Sequence, residues 1–343
     1  MYSATRNFGD GAVTKLSPYI SRGVISTRQV FEYIMSTETP WQEAEKLIQE
    51  LAWRDYWQQV WIAKGEEINT DLKNPQNPIS NHQIPSAIVN ASTGINAIDA
   101  AIKELYKSGY LHNHMRMYIA SICCNVANSH WLEPARWMYA HLLDGDTASN
   151  QLSWQWVAGA FSKKKYYANQ ENINHFFGSS QKNTFLDIDY ANFNKLKTPK
   201  ILCETIPLIM DLCLPKMEYP PLLEDKTSLI YNYYNLDPAW HKDKKMQRIL
   251  LLEPSKFKRH HVSQKCMNFA LELSKNISNI KLFVGEFEDL LRHISPDKII
   301  YKEHPLNINY KGLEEPREWI SSVTGYFPSF FSFWKRCRSE LMQ

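Results

Sequence analysis

The run Asp144-Gly145-Asp146-Thr147-Ala148-Ser149-Asn150-Gln151-Leu152-Ser153-Trp154-Gln155-Trp156 carries the densest set of chemically useful side chains in this chain. Two carboxylates flank a glycine, a turn combination. A helix that starts after the glycine puts Asn150 and Trp154 on one face at i,i+4 spacing. A carboxylate, an amide and an indole then converge on one pocket. Three earlier segments hold comparable sets: Tyr110-Leu111-His112-Asn113-His114-Met115-Arg116-Met117, Glu50-Leu51-Ala52-Trp53-Arg54-Asp55-Tyr56 and Thr14-Lys15-Leu16-Ser17-Pro18-Tyr19. Hydroxyls such as those of Thr14 and Ser17, beside backbone N–H groups at a helix start, suit phosphate. The run Lys163-Lys164-Lys165-Tyr166-Tyr167 joins cations to aromatics and suits phosphate contacts as well. Each set also has a plainer reading. The tryptophans serve as core residues, Glu50 and Arg54 as a surface pair at i,i+4, Thr14 and Ser17 as helix caps, and the lysines as a solvated loop.

Helices must position these groups. Apolar residues recur at 3–4 spacing over Thr27–Met35, Trp41–Ala63, Ile95–Ser108, Met115–Asn128 and Pro134–Leu143. Ser26, Ser129 and Ser149 stand at expected N-cap positions. The stretch 74–85, with three prolines, is a loop. Prolines 199, 207, 215, 220, 221 and 238 break periodicity further on, and the segment ends in the charged run 242–245. Beyond it, strands are expected at Arg248–Glu253, Lys281–Val284 and Lys298–Lys302, with helices at Ser263–Ser274 and Phe287–Arg292. That alternation implies a small parallel sheet. The chain therefore reads as mainly α: a helical domain over 1–197, a connecting segment over 198–245 and a small α/β unit over 246–343. No G-x-G-x-x-G follows a strand, so a structural role is expected for the α/β unit.

Composition narrows the classes. The chain has 343 residues, 44% of them hydrophobic, enough for a sizeable core. Aromatics reach 13%, with 11 Trp and 18 Tyr, which supplies stacking surface as well as core. The net charge of +3 is too small to diagnose a nucleic-acid partner, so any such contact needs a local patch. The six cysteines include no C-x-x-C pair, which argues against zinc or an iron–sulfur cluster, and no metal is expected. With no leader before Tyr2 and no apolar run of membrane length, the chain is expected to be cytoplasmic, or nucleoid-associated in a bacterium, and off the membrane.

In this order and at these separations, the four segments resemble the FAD-binding helical domain of the DNA photolyase/cryptochrome family over roughly residues 2–175. The resemblance implies FAD as cofactor. It puts Tyr2, Thr14, Leu16, Ser17 and Arg54 at the FAD phosphates. Around the ring and ribose it puts Asn113, Arg116, Asp144, Asp146 and Asn150, with Arg116 and Asp144 paired and Asn150 facing flavin N5. Photolyases carry Asn at that last position, whereas plant and animal cryptochromes tend to Asp and Cys. The resemblance also implies a lesion pocket for a flipped-out pyrimidine dimer, walled by Trp53 and Trp156 and contacted by Glu50, Asn113, Met117 and Arg6, with Lys163, Lys164 and Lys165 at its rim. His112-Asn113 and Met117 resemble the class specific for cyclobutane dimers.

Trp154 and Trp131 match the first two tryptophans of the family's electron path. The third would fall near Pro78 and is absent, with Trp57, Trp61, Tyr106 and Trp137 as nearby alternatives. Family members place an α/β domain before the helical one; here the α/β unit comes last, and FAD is expected to be the only chromophore. The implied activity is light-driven repair of cyclobutane pyrimidine dimers by a deoxyribodipyrimidine photo-lyase, acting as a monomer on DNA that contains such dimers. The alternatives are a cryptochrome-like blue-light photoreceptor, tested by whether lesion DNA binds, and a flavoprotein that only binds nucleic acid or a partner.

Overall fold

The computed structural model describes residues 2–216 and 220–343. They group into two units: Met1–Thr14 with Lys64–Ile209, and Lys15–Ala63 with Met210–Gln343. Residues 15–63, placed by sequence in the helical domain, thus group with the residues of the α/β sheet.

The first unit is helical. In the Asn96–Ser108 helix, Ile98, Ile102 and Leu105 form the buried stripe that 3–4 spacing predicts. Gly109 ends this helix in the left-handed region, its N–H donating to Leu105 O at 2.8 Å. A Cβ there would lie 2.6 Å from Leu143 Cγ, so glycine is required twice over. The helix expected over Met115–Asn128 starts earlier, at Asn113, and widens into a buried π-turn at Ile122–Val126. That turn holds Asn125, whose Nδ2 donates to Val157 O (2.9 Å) and Tyr166 O (2.8 Å) and so ties down the segment after the Thr147–Ala158 helix.

Two of the three expected caps differ. Ser129 does not cap the Leu132–His141 helix; Trp131 stands at the cap position, and the buried Ser129 hydroxyl bonds Asn81 Oδ1 at 3.1 Å. Ser149 does not cap the Thr147–Ala158 helix either. Asp146 does, accepting from Ser149 N at 2.8 Å, because an aspartate three residues before a backbone N–H is the better acceptor. Ser26 caps the Thr27–Ser36 helix as expected, with Gln29 completing a reciprocal pair (2.9 and 3.0 Å).

The second unit contains a five-stranded, all-parallel sheet in the order Ile280–Val284, Gln247–Leu252, Ser228–Tyr231, Ile299–Lys302, Leu313–Glu315. The chain runs from the centre to one edge, then crosses to the other, a doubly wound path. Its central strand, Ser228–Tyr231, lies inside what the sequence suggests is a connecting segment. All four of its residues are buried, and a strand covered on both faces shows no alternation to betray it among so many prolines. A further helix, Phe330–Leu341, buries Phe330, Phe333, Trp334 and Cys337, again at 3–4 spacing.

The long Trp41–Lys64 helix is held in this unit by a buried carboxylate. Asp55 is 5% exposed; both its oxygens accept from Thr27 Oγ1 (3.0 Å), and Oδ2 accepts from Ile320 N (2.7 Å). Two neighbours on the same helix extend the clamp. Gln59 Oε1 accepts from Gly325 N at 2.7 Å, and Tyr56 OH donates to Phe327 O at 3.2 Å. No helix among the described residues is long and apolar enough to cross a membrane.

Burial raises the Asp55 carboxyl to about 6, against the opposing pull of the Ile320 and Thr27 hydrogen bonds and of Arg317 and Arg54. A folded pKa above the unfolded one favours the neutral acid in the fold. The stability it contributes is full below the unfolded value and is lost as pH rises to about 6, a change of about 3 kcal/mol at 1.36 kcal/mol per pKa unit. Urea titrations of wild type and Asp55→Asn at several pH values test this. The difference between the two proteins should change by about that amount between roughly pH 4 and 6, and a flat difference would show that Asp55 does not titrate there.

Candidate functional site

In the helical unit, the predicted groups gather around the start of the Thr147–Ala158 helix. Arg116 reaches from the Asn113–Ser121 helix: its Nε donates to Leu111 O at 2.9 Å, and its Nη2 donates to both oxygens of Asp144 at 3.0 and 2.9 Å. This is the predicted pair, and it is only partly solvated, with side chains 23% and 10% exposed. Gly145 makes the turn fit. A Cβ there would come within 2.8 Å of Tyr139 O and 3.0 Å of Leu142 O, so any other residue would push the two aspartates off the end of the Leu132–His141 helix.

Asn150 sits one turn into the Thr147–Ala158 helix, with Nδ2 donating to Ala135 O at 2.8 Å. A carbonyl can only accept, so the amide nitrogen must face it, and Asn150 Oδ1 is left as an acceptor. Ser149 adds a group that the sequence reading assigned to capping. Its Oγ is buried and has no hydrogen-bond partner among the described residues. A glance at which residue, Asp146 or Ser149, is the stronger N-cap could have freed Ser149 for this role.

The other predicted residues of this unit differ in exposure. Asn113 heads its helix with an exposed side chain, and Met117 is half-buried one turn on. Tyr2 and Arg6 are half-buried in and just after the Tyr2–Thr5 helix, and Thr14 is exposed. Trp156 is 37% exposed and lies against Tyr166, ring centroids 5.9 Å apart. Lys163 and Lys164 are exposed, but Lys165 is half-buried, and burial lowers its pKa.

Trp154 and Trp131 are both buried, at 3% and 0% exposure. The proline-rich loop, which lacks the expected third tryptophan, grips Trp131 instead. Trp131 Nε1 donates to Asp71 Oδ1 at 2.7 Å, and Trp131 N donates to Gln76 Oε1 at 3.0 Å. Asp71 in turn accepts from Gln76 N at 2.8 Å, and Gln76 Nε2 donates to Ser129 O at 2.8 Å. Two of the alternative relay residues, Tyr106 and Trp137, meet each other, with Trp137 Nε1 donating to Tyr106 OH at 2.9 Å.

The α/β-containing unit holds the remaining candidates. Leu16 occupies the cap position of the Ser17–Ser21 helix without a side-chain cap bond, so Ser17 lies inside the helix and is not its cap. On the Trp41–Lys64 helix, Glu50 pairs with Lys46 at 3.1 Å, and Arg54 is half-buried next to Asp55. Trp53 is stacked under Phe330, ring centroids 3.6 Å apart and planes 9° from parallel.

Residues 47–185 match the family described as the FAD binding domain of DNA photolyase. That likeness lies within less than half of the chain. The deoxyribodipyrimidine photo-lyase of Alkalihalophilus pseudofirmus is 29% identical over 161 residues, 46% of this chain and 34% of that protein. That of Streptomyces griseus is 33% identical over 150 residues, 43% of this chain and 32% of that protein. A cryptochrome DASH of Danio rerio is 31% identical over 176 residues, 46% of this chain and 32% of that protein. The chain thus spans about a third of the length of the curated relatives it matches.

The donor set of the photolyase domain fits FAD. The Asp144 and Asp146 carboxylates, the acceptor oxygen of Asn150 and the Ser149 hydroxyl, which has no partner among the described residues, lie on one connected stretch, and Arg116 joins them through Asp144, so the set holds both donors and acceptors.

The stack on Trp53 is the arrangement that sequence reasoning missed. The signal was present, because Phe330, Phe333, Trp334 and Cys337 recur at helical spacing, but nothing in that pattern names what they cover. A base cannot occupy the ring face that Phe330 covers. Phe330→Ala should destabilise the fold by about 3–5 kcal/mol, whereas Phe331→Ala, 69% exposed, should change it by no more than about 0.5 kcal/mol. Denaturant titration of the two variants measures both; equal small effects would mean that the stack is not part of the packed structure.

Proposed function

We propose that this protein is a light-driven repair enzyme for cyclobutane pyrimidine dimers in DNA, with FAD as its cofactor. The observation that carries the reading is the Arg116–Asp144 pair beside Asn150, a donor–acceptor set that has little purpose in a helical core. A half-buried ion pair adds little stability over apolar packing, so its presence points to a ligand. When bound, reduced FAD supplies the photoexcited electron donor.

The chain's own residues do the rest. Arg116 and Asp144 hold one another in a fixed orientation, so the site does not reorganise when a ligand arrives. Asn150 Oδ1 offers an acceptor without a charge, which suits a neighbouring ring N–H. Trp156 presents a partly exposed indole, the flat apolar wall that a flipped base needs. Glu50 is the carboxyl proposed for the polar edge of the dimer, and Asn113, Met117 and Arg6 are proposed as further lesion contacts. Lys163 and Lys164 are proposed at the DNA backbone. Trp154 and Trp131 are the proposed electron donors that keep the cofactor reduced.

A second reading, a cryptochrome-like photoreceptor without repair, is favoured by one observation. Trp53, the other proposed wall of the lesion pocket, has one face covered by Phe330. The two readings separate on binding. Trp156→Ala should weaken the affinity for a dimer-containing oligonucleotide by about 1–3 kcal/mol, the value of one base–aromatic stack. Fluorescence anisotropy with dimer-containing and undamaged oligonucleotides measures it. Equal affinity for both DNAs in the wild type would favour the photoreceptor. In a second measurement, Trp154→Phe should slow light-driven reduction of bound FAD strongly, and a wild-type rate would remove Trp154 from the electron path.

A further inference from the structure

The amino ends of the strands Ser228–Tyr231, Gln247–Leu252 and Ile280–Val284 border a cleft of about 450 Å³. Lys226, Lys242, Lys244, Lys245, Arg248 and Lys281 line it, with Asp243 the one acidic residue in its wall among the described residues. Two of these cations build the cleft. Arg248 is 7% exposed and donates through Nη2 to three carbonyls of the loop before its strand, His241 O (2.7 Å), Lys242 O (3.1 Å) and Lys244 O (3.3 Å). Lys281 Nζ donates to Gln247 Oε1 at 3.2 Å and to Pro221 O. The loop that presents the other lysines is therefore pinned to the sheet.

The remaining four cations are uncommitted. Lys226, Lys242, Lys244 and Lys245 are exposed, and their ammonium groups make no hydrogen bond or ion pair among the described residues. Glu224 and Asp225 precede Lys226 and are also exposed, but they do not line the cleft. Like charges held this close repel one another, and a fixed concave cluster of them concentrates counter-anions. Leu223 and Met246 are the apolar residues of the wall, and no aromatic ring lines it. The cleft thus offers charge for phosphates and no platform for a base.

We propose that this cleft is a contact for the sugar–phosphate backbone of DNA, independent of sequence and of lesions. The choice of DNA over other polyanions rests on the repair reading, whereas the site itself rests on the lysine cluster. The test is anisotropy of a labelled, undamaged duplex of about 20 base pairs. It is titrated with the wild type and with the triple variant Lys242→Gln, Lys244→Gln, Lys245→Gln, from about 50 to 200 mM NaCl. The variant should bind at least about tenfold more weakly at low salt, and its log K against log salt slope should be shallower by about 2–3, close to one unit per lost phosphate contact. Unchanged affinity and slope would overturn the proposal. So would a result in which pyrophosphate binds the cleft but the triple variant still binds DNA like the wild type, which would mark a small-anion site. The same titration with a dimer-containing duplex keeps the two readings apart. A wild type that does not prefer the dimer counts against repair while leaving the cleft intact.

Discussion

One buried carboxylate organises the sheet-containing unit. Asp55 takes a backbone N–H from the C-terminal segment and a hydroxyl from the first residue of the Thr27–Ser36 helix, and both partners come from chain regions far apart in sequence. With Gln59 and Tyr56, it sets the register of the Trp41–Lys64 helix against the segment 320–327. The helix carries Glu50, Trp53 and Arg54 within one and a half turns of Asp55, so whatever fixes Asp55 fixes their directions too. The carboxyl is held at a desolvation cost large enough to raise its pKa to about 6, which marks a constraint of geometry, since an apolar residue would fill the space more cheaply.

Where a site depends on short-range chemistry, the sequence was readable. The Asp144-Gly145-Asp146 turn and the helix after it are governed by spacing and charge among neighbouring residues, whereas the Arg116–Asp144 pair follows only from the family resemblance. What eluded the sequence depends on partners brought from afar. The strand Ser228–Tyr231 is central because neighbours cover both its faces, and those neighbours are separated from it by proline-rich chain. Phe330 lies on Trp53 because a C-terminal helix returns to a residue nearly the whole chain away. Asp71 and Gln76 hold Trp131 from a loop whose prolines announce only that it is not a helix.

The sheet shows the same division between framework and opportunity at its two ends. At the carboxyl ends of its strands, polar groups are committed to each other: Glu253 is bonded by Tyr310 and Lys256, with Lys256 Nζ also 2.9 Å from Tyr310 OH. His304 lies stacked on Tyr234 and edge-on to Trp61. Burial keeps it neutral, since it is pressed well below the usual histidine range with Arg317, Lys256 and Arg22 nearby. The ligand-binding end of a doubly wound sheet is thus filled by the chain's own side chains. At the amino ends, Lys226, Lys242, Lys244 and Lys245 are exposed and their ammonium groups have no partner among the described residues.

The proposed activity is that light, acting through bound FAD, opens a cyclobutane dimer in DNA. The most direct measurement is product analysis. An oligonucleotide with a single thymine dimer is incubated with the FAD-loaded, chemically reduced protein, in blue light and in darkness, and its bases are separated by chromatography. Restored thymines in light, with none in darkness, are the predicted result. An intact dimer in both arms, from protein that retains reduced FAD and binds the oligonucleotide, would contradict the account.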